Sequence, residues 1–238
     1  MGAFAGPEMA TDGLILSLDA GNPKCFSEGA TSATNIITGG AVTGASGQPD
    51  AGAHTPNTAN FPAYNSINGG IFDFAGGRGM NCDEDLGAHT EFTSSMWFYK
   101  PSGAQNAYFT DGRNDGGQWF ISNYSPTEGN YEYTAVLTYN YGSPYTADPT
   151  EYIGKWIYMV VVSNASTARL YLNGSEVPDY DGQASLNENL GINFRIGTRF
   201  TTSGQWTGYM NQINIYDRVL TEDEITKNFW ATRGRYGI

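Results

Sequence analysis

The hexapeptide Asp111-Gly112-Arg113-Asn114-Asp115-Gly116 places three hard oxygen donors on a glycine-rich turn, a composition that suits calcium. Asp111, Asn114 and Asp115 are the candidate ligands. The segment departs from the EF-hand pattern, because Arg113 stands at a ligand position and Ser122 stands where the closing Glu belongs. Asp179 and Asp181, just before Gly182, form a second group of hard donors. Asp and Asn also bond to their own backbone in turns, which accounts for both segments without a metal. Sugar recognition asks for an exposed aromatic face beside amides and carboxylates. Tyr124, Tyr141, Tyr145, Tyr180 and Trp206 lie among Gly, Pro and Asn, as loop aromatics do. Tyr180, Asp181 and Trp206 are taken as the candidate glycan contacts.

Other chemistries lack their spacing. His54 and His89 sit in polar stretches, and neither belongs to an H-E-x-x-H motif or a metal-spaced cluster. There is no G-x-S-x-G elbow. Gly76-Gly77-Arg78-Gly79 is not followed by the Lys-Ser/Thr of a phosphate loop. Asp83-Glu84-Asp85 reads as a solvated turn, and Glu222-Asp223-Glu224 as the acidic opening of a helix, where negative charge complements the dipole.

Charge narrows the partners. The formal net charge is −12, from 24 acidic and 12 basic residues, and most of the excess lies in residues 1–150. Such a surface disfavours nucleic acid, whose phosphates need Lys and Arg. No apolar run approaches the roughly 20 residues that span a bilayer. The opening Met1-Gly2-Ala3-Phe4-Ala5-Gly6-Pro7-Glu8 has neither the basic start nor the apolar stretch of a secretory signal. Cys25 and Cys82 allow at most one bridge, and without an export signal two free, half-buried thiols are expected.

The elements that must position these residues are strands. Thirty-one Gly and 16 Tyr with 15% charged residues argue for many short strands and tight turns. Thr11–Pro23 reads as an early strand stopped by a Gly-Asn-Pro turn. Gly70–Phe74, Glu91–Tyr99, Ala107–Thr110, Gly117–Ser122, Tyr131–Tyr139, Lys155–Ser163, Ala168–Gly174, Asn193–Gly197 and Tyr209–Tyr216 read as strands. Glu91–Tyr99 is apolar on both faces toward its end and belongs inside a sandwich. Residues 27–68 turn small and polar and are expected to form a long loop or insertion. Thr221 with Glu224 is a capping box, and Leu220 with Ile225 a hydrophobic staple, so a helix opens here and runs to Arg233-Gly234.

Several segments resemble laminin-G-like domains of the concanavalin A-like lectin/glucanase superfamily. The closing block carries Gly208, Met210, Ile213, Ile215, Tyr216, Arg218, Leu220, Thr221, Glu224 and Ile225 in the places of "G-x-I-x-x-[VI]-x-I-Y-x-R-x-L-[ST]-x-x-E-I". The opening Asp12-Gly13-Leu14 to Asp19-Ala20-Gly21-Asn22 resembles "D-G-L-x-L-x-L-D-A-x-N", and Trp156–Val162 with Leu170–Gly174 resembles the central hairpin. The resemblance implies an all-β jelly-roll sandwich of two antiparallel sheets with one short C-terminal helix. It implies an arm at 1–10 and a single domain over 11–238. Superfamily enzymes that cut glucans carry E-x-D-x-E on one strand, which aims three carboxylates at one face. No such strand occurs here, so no enzymatic activity is expected.

The ending Asn228-Phe229-Trp230-Ala231-Thr232-Arg233-Gly234-Arg235-Tyr236-Gly237-Ile238 resembles that of virion proteins from tailed phages. The expected role is therefore a non-enzymatic virion component, a capsid decoration or tail-fibre-associated protein. It would be made in the host cytoplasm, present in high copy number or as a homo-oligomer, and bound to other virion proteins and to host-surface glycan. The alternatives are a free-standing lectin or carbohydrate-binding module and, behind it, a polysaccharide depolymerase. Calcium is the sole cofactor candidate.

Overall fold

Two apolar sets alternate along Trp156–Asn164, and both are buried. Ile157, Met159 and Val161 join one core, and Trp156, Tyr158, Val160 and Val162 another. A strand buried on both faces needs a covering layer on each side. The computed structural model shows what these layers are. It describes residues 8–45, 58–101, 107–111, 119–124, 131–137, 145–147, 152–164, 167–178, 182–183, 188–189, 194–198 and 205–238.

The strands are β1 Leu14–Leu18, β2 Ser32–Thr34, β3 Ala41–Gly44, β4 Ala63–Asn65, β5 Ile71–Asp73, β6 Met80–Cys82 and β7 Ala88–His89. There follow β8 Glu91–Tyr99, β9 Ala107–Asp111, β10 Trp119–Tyr124, β11 Tyr131–Leu137, β12 Tyr145–Ala147 and β13 Trp156–Asn164. The last are β14 Thr167–Leu172, β15 Ser175–Glu176, β16 Gly182–Gln183, β17 Glu188–Asn189, β18 Phe194–Ile196 and β19 Tyr209–Tyr216, with helix α1 at Glu222–Thr232. One sheet runs β15-β14-β13-β8-β19-β5-β4. In it β1 takes the edge of β19 that β5 leaves free, and β16 pairs with β14 beyond β15. The other runs β12-β11-β10-β9-β18-β6-β3-β2. These ladders are antiparallel, as an all-β sandwich requires.

Between the sheets, Leu16, Leu18, Phe72, Phe92, Met96, Phe98, Ile213 and Ile215 meet Val42, Met80, Cys82, Phe194 and Ile196. Both cysteines are free thiols buried in this core, more deeply than the half-buried setting expected from the sequence. Burial pushes the Cys25 thiol up to about 11. Residues 27–68 differ from expectation. They supply β2, β3 and β4, and β3 brings Val42 into the core against β6. These strands are three or four residues long and built mostly from Ala, Thr, Ser and Gly, so they carry almost no apolar alternation to read.

The second core lies on the outer face of the first sheet. Trp97, Trp156, Tyr158, Val160, Val162, Tyr171 and Tyr216 are roofed by Leu220, Ile225, Phe229 and Tyr236 from α1 and its flanks. Trp97 is the hub, with ring centroids 4.2 Å from Tyr236, 5.2 Å from Tyr158 and 5.9 Å from Phe229. A bulge makes the arrangement possible in β19. Asn211 and Asn214 pair with Trp97 and Ser95, so the strand gains one residue, and Gln212 takes a left-handed φ of 45°. Met210, Ile213 and Ile215 therefore all reach the inner core, while Asn211 and Tyr216 face outward.

The capping box forms as read. Thr221 Oγ1 accepts from Glu224 N at 3.2 Å, and Thr221 N donates to the Glu224 carboxylate at 2.9 Å. Arg218 donates to both Glu224 oxygens. That contact, with the Thr221 bonds, outweighs partial burial and pushes the Glu224 carboxyl down to about 2. Thr221→Ala should cost about 0.5–2 kcal/mol in denaturant melts. Because the folded state holds the Glu224 proton more weakly than the unfolded chain does, its contribution is present above the ordinary value of 4.5 and fades as pH falls toward 2. Melts at falling pH should show the parent losing stability faster than Glu224→Gln over that window; parallel losses would rule the contribution out.

The chain's end differs in one detail. The helix passes straight into a tighter 3₁₀ turn over Arg233–Tyr236, and the left-handed residue is Gly237, at φ 75°, not Gly234. The extra turn lets Arg235 reach back across the molecule. Its Nη1 donates to both oxygens of Asp19, at 2.7 and 2.9 Å, and its Nε to Asn68 O at 2.6 Å. Gly21 permits this approach, since a Cβ there would stand 2.6 Å from Gly69 O and inside the Arg235 guanidinium. At the other end, Ala10 N donates to Asn228 Oδ1 at 2.8 Å, and the Tyr216 hydroxyl donates to Ala10 O at 3.0 Å. The last residue of the expected arm is thus bound to the chain's own helix; residues 1–7 of that arm lie outside the described residues.

Candidate ligand groove

The sequence-predicted site residues do not assemble among the described residues. Asp111 ends β9, in register with Arg195 of β18 and Phe120 of β10, while Asn114, Asp115, Tyr180 and Asp181 lie outside the described residues. No group of three or more His, Cys, Asp or Glu is placed to hold a metal among the described residues. Trp206 is a correction. It has no exposed surface, meets Phe98 edge-on at 5.8 Å and is crossed by Lys100 Nζ 5.8 Å from its ring. Its polar neighbours Gly204, Gln205 and Thr207 suggested a loop, but the indole turns inward and fills the core beside β8, so it offers no face to a sugar. Burial lowers the Lys100 ammonium to about 8.

The other acidic runs are occupied with the fold. Asp83 accepts from Asn81 Nδ2 at 2.9 Å and from Thr43 Oγ1 at 3.1 Å. Glu84 accepts from Thr38 Oγ1 at 2.6 Å and from Asn35, and Asp85 accepts from Gly87 N at 2.9 Å. His89 Nε2 lies 2.6 Å from Leu86 O. Asp83 and Glu84 thus tie the end of β6 to residues 35–43, and Asp85 and His89 hold the backbone between β6 and β7, which are structural tasks.

A groove of about 320 Å³ opens where the second core reaches the surface. Its floor is Val162 and Tyr171 on the outer faces of β13 and β14, with Val219 and Leu220 from the corner that leads into α1. Its rim is polar: Asn164, Thr167 and Arg169 on one side, Thr221 and Glu222 on the other. Local sequence explains the split. In Thr167-Ala168-Arg169-Leu170-Tyr171 the even-numbered residues face the inner core, so Thr167, Arg169 and Tyr171 must face out. The far wall is fixed because Leu220 N donates to Thr93 Oγ1 at 3.0 Å, and that hydroxyl donates to Arg218 O at 2.8 Å. Asn164 Oδ1 ties down Thr167 by accepting from its N–H at 3.1 Å and its hydroxyl at 2.8 Å.

Arg169 is the sole cation lining the groove among the described residues. Its Nε is 3.7 Å from Glu176 Oε1 and its Nη1 is 3.9 Å from Glu222 Oε1, too long for hydrogen bonds. A hydrogen bond with the Tyr171 hydroxyl, followed by the attraction of Glu176, holds the guanidinium firmly charged. The three side chains are 53%, 41% and 68% exposed, so each can turn toward an incoming ligand. An apolar floor with a rim of amide, hydroxyl, guanidinium and carboxylate groups can bind a small ring compound that is apolar on its face and polar at its edge. Neither Glu176 nor Glu222 is desolvated, the setting from which a carboxylic acid donates a proton in glycoside cleavage. The sequence hid the groove because the corner before α1 follows its hairpin residues by 48 positions or more; the outward Arg169 within an apolar hairpin was the only signal.

Comparison with known proteins agrees with this architecture. A laminin-G family model, described as the concanavalin A-like lectin/glucanases superfamily, matches residues 75–226, more than half of the chain. The chain belongs to that superfamily. Among solved structures, this concanavalin A-like domain is similar to domain 4 of AbnA, an extracellular arabinanase from Geobacillus stearothermophilus, solved in complex with arabinotriose. The two share 15% identity and a TM-score of 0.61, over 90% of this chain and 97% of that one. It is also similar to the binding domain of botulinum neurotoxin serotype G, at 16% identity and TM-score 0.61, and to Trypanosoma rangeli sialidase, at 14% and 0.59. It covers 50% of the toxin domain and 34% of the sialidase. At these identities the likeness is one of fold. No curated protein matches the chain. The superfamily assignment makes it a lectin/glucanase-fold domain, with a C-terminal helix laid over one sheet.

Proposed function

We propose that this concanavalin A-like domain is a non-catalytic recognition module that binds glycan. The observation that carries the reading is the groove beside Arg169, whose apolar floor and polar rim suit a sugar ring while its carboxylates stand in water. Asp83, Glu224 and Asp19 support it, being engaged in a hydroxyl hydrogen bond, a helix cap and an ion pair. The arabinotriose complex of a domain with this fold is consistent with it.

The finer part of the proposal is that the module sits on a tailed-phage particle, bound to other virion proteins and turned toward host-surface glycan. Its support is the phage-like ending at 228–238. Arg235 and Tyr236 of that ending also have a place in the fold, through Asp19 and Trp97.

Purified chain incubated with glucans, galactans and host lipopolysaccharide should release no reducing ends, yet should bind immobilised glycan. Arg169→Ala should weaken that binding at least severalfold. Released reducing ends would make it an enzyme. Peptide mass spectrometry of purified particles tests the location: its absence from them would leave a free lectin.

A further inference from the structure

Resting on the glycan-binding reading, we propose that the groove selects neutral sugars over acidic ones, and that Glu176 and Glu222 are the residues that set this selectivity. Arg169 alone would favour an acidic sugar, since a guanidinium takes a carboxylate through two parallel N–H donors. Here it is bracketed by a carboxylate on each side, at 3.7 and 3.9 Å, and no second cation lines the groove among the described residues. The site's local charge is therefore −1. The geometry of the bracket comes from the fold. Glu176 follows the Asn173-Gly174 turn, whose left-handed φ values of 52° and 84° close a two-residue hairpin and set Glu176 opposite Tyr171 on the outer face. Glu222 begins α1 directly after the cap residue Thr221.

The two pairs are too long to use up the guanidinium donors. A neutral sugar can receive N–H groups from Arg169 on its hydroxyls and give its own O–H groups to Glu222 in the rim and Glu176 beside it, so each of the three charged groups gains a partner. A uronic acid would instead bring a third carboxylate to one cation already flanked by two. The effect is electrostatic and exposed, so it amounts to roughly fivefold and shrinks with salt.

The test titrates ¹⁵N-labelled chain with methyl glycosides of glucose, galactose and mannose, and with the uronic acids of the same sugars. It reads amide shifts at Thr167, Arg169 and Glu222. At low ionic strength a neutral glycoside should shift these amides with a dissociation constant about fivefold below that of its uronic acid. Glu176→Gln/Glu222→Gln should remove or reverse the preference while the spectrum stays folded. Glu176→Asp/Glu222→Asp, which keeps both charges, should retain it. Equal or tighter binding of the uronic acids by the parent, or an unchanged preference in the double Gln variant, would overturn the inference and leave the module reading standing. Shifts confined to residues away from the groove would overturn the groove assignment as well. Shifts nowhere, with any sugar, would defeat the module reading itself and the inference with it.

Discussion

Trp97→Ala should destabilise the domain by about 3–5 kcal/mol, the range for removing a fully buried aromatic. Trp97 has no exposed surface, packs against Tyr158, Phe229 and Tyr236, and donates from Nε1 to Thr232 Oγ1 at 2.9 Å. The loss falls on the outer core, so α1 should loosen before the sandwich does. Denaturant melts give the magnitude, and hydrogen exchange at the amides of α1 gives the place. Trp97→Phe keeps an aromatic ring beside Tyr236 but removes the N–H that Thr232 Oγ1 accepts, and should cost about half as much. A Trp97→Ala shift under about 1 kcal/mol, or exchange that rises equally in β8 and α1, would mean the outer core contributes little of its own.

The second large effect is expected at the other end of the helix. Arg235→Ala should cost about 2–3 kcal/mol, discounted from the 3–5 typical of a broken, fully buried pair because both partners are 22% exposed. Asp19 would keep Gly21 N at 2.8 Å and a long contact from Asn211 at 3.3 Å, but would lose its countercharge. Asn68 O would lose its donor, and Gly70 O would keep only Asn211 Nδ2, at 3.0 Å. Arg235→Lys should recover only part of the loss, since an ammonium cannot serve Asp19, Asn68 and Gly70 together. A double-mutant cycle with Asp19→Ala isolates the pair. Additive losses would show that Arg235 acts through Asn68 and Gly70 and not through Asp19.

These two sites show what could be read in the chain and what could not. The long strands β8, β13, β14 and β19 and the capped helix were legible, because six to nine residues of strand, or a Thr-x-x-Glu cap, leave a local signature. The apolar residues on both faces of β8 pointed to an inner strand, but not to a second core, since the roof over Trp97 lies more than 120 residues later. Arg235 looked like part of an ending, whereas its partner Asp19 is 216 positions away. Trp206 was misread because its neighbours are small and polar, although a large ring can turn inward from such a segment. β2 and β3 escaped because pairing, and not apolar content, makes them strands. The groove escaped because its chemistry belongs to the seam between hairpin and helix.

The pairing of β1 with β19, from Leu14 opposite Tyr216 to Leu18 opposite Ile213, has a consequence in time. β1 is made roughly two hundred residues before β19 and has no other strand partner among the described residues, and Asp19 beside it waits for Arg235. At roughly 5–20 residues per second, the intervening two hundred residues take about 10–40 s to synthesise. Throughout that interval Leu16 and Leu18 have no native neighbour in β19 to cover them. The nascent chain is thus held open at its first strand until its last one arrives, and loop closure over almost the whole length makes that final step slow. A cell making this protein must shield an exposed apolar strand for tens of seconds, and truncation anywhere before β19 would leave it exposed for good.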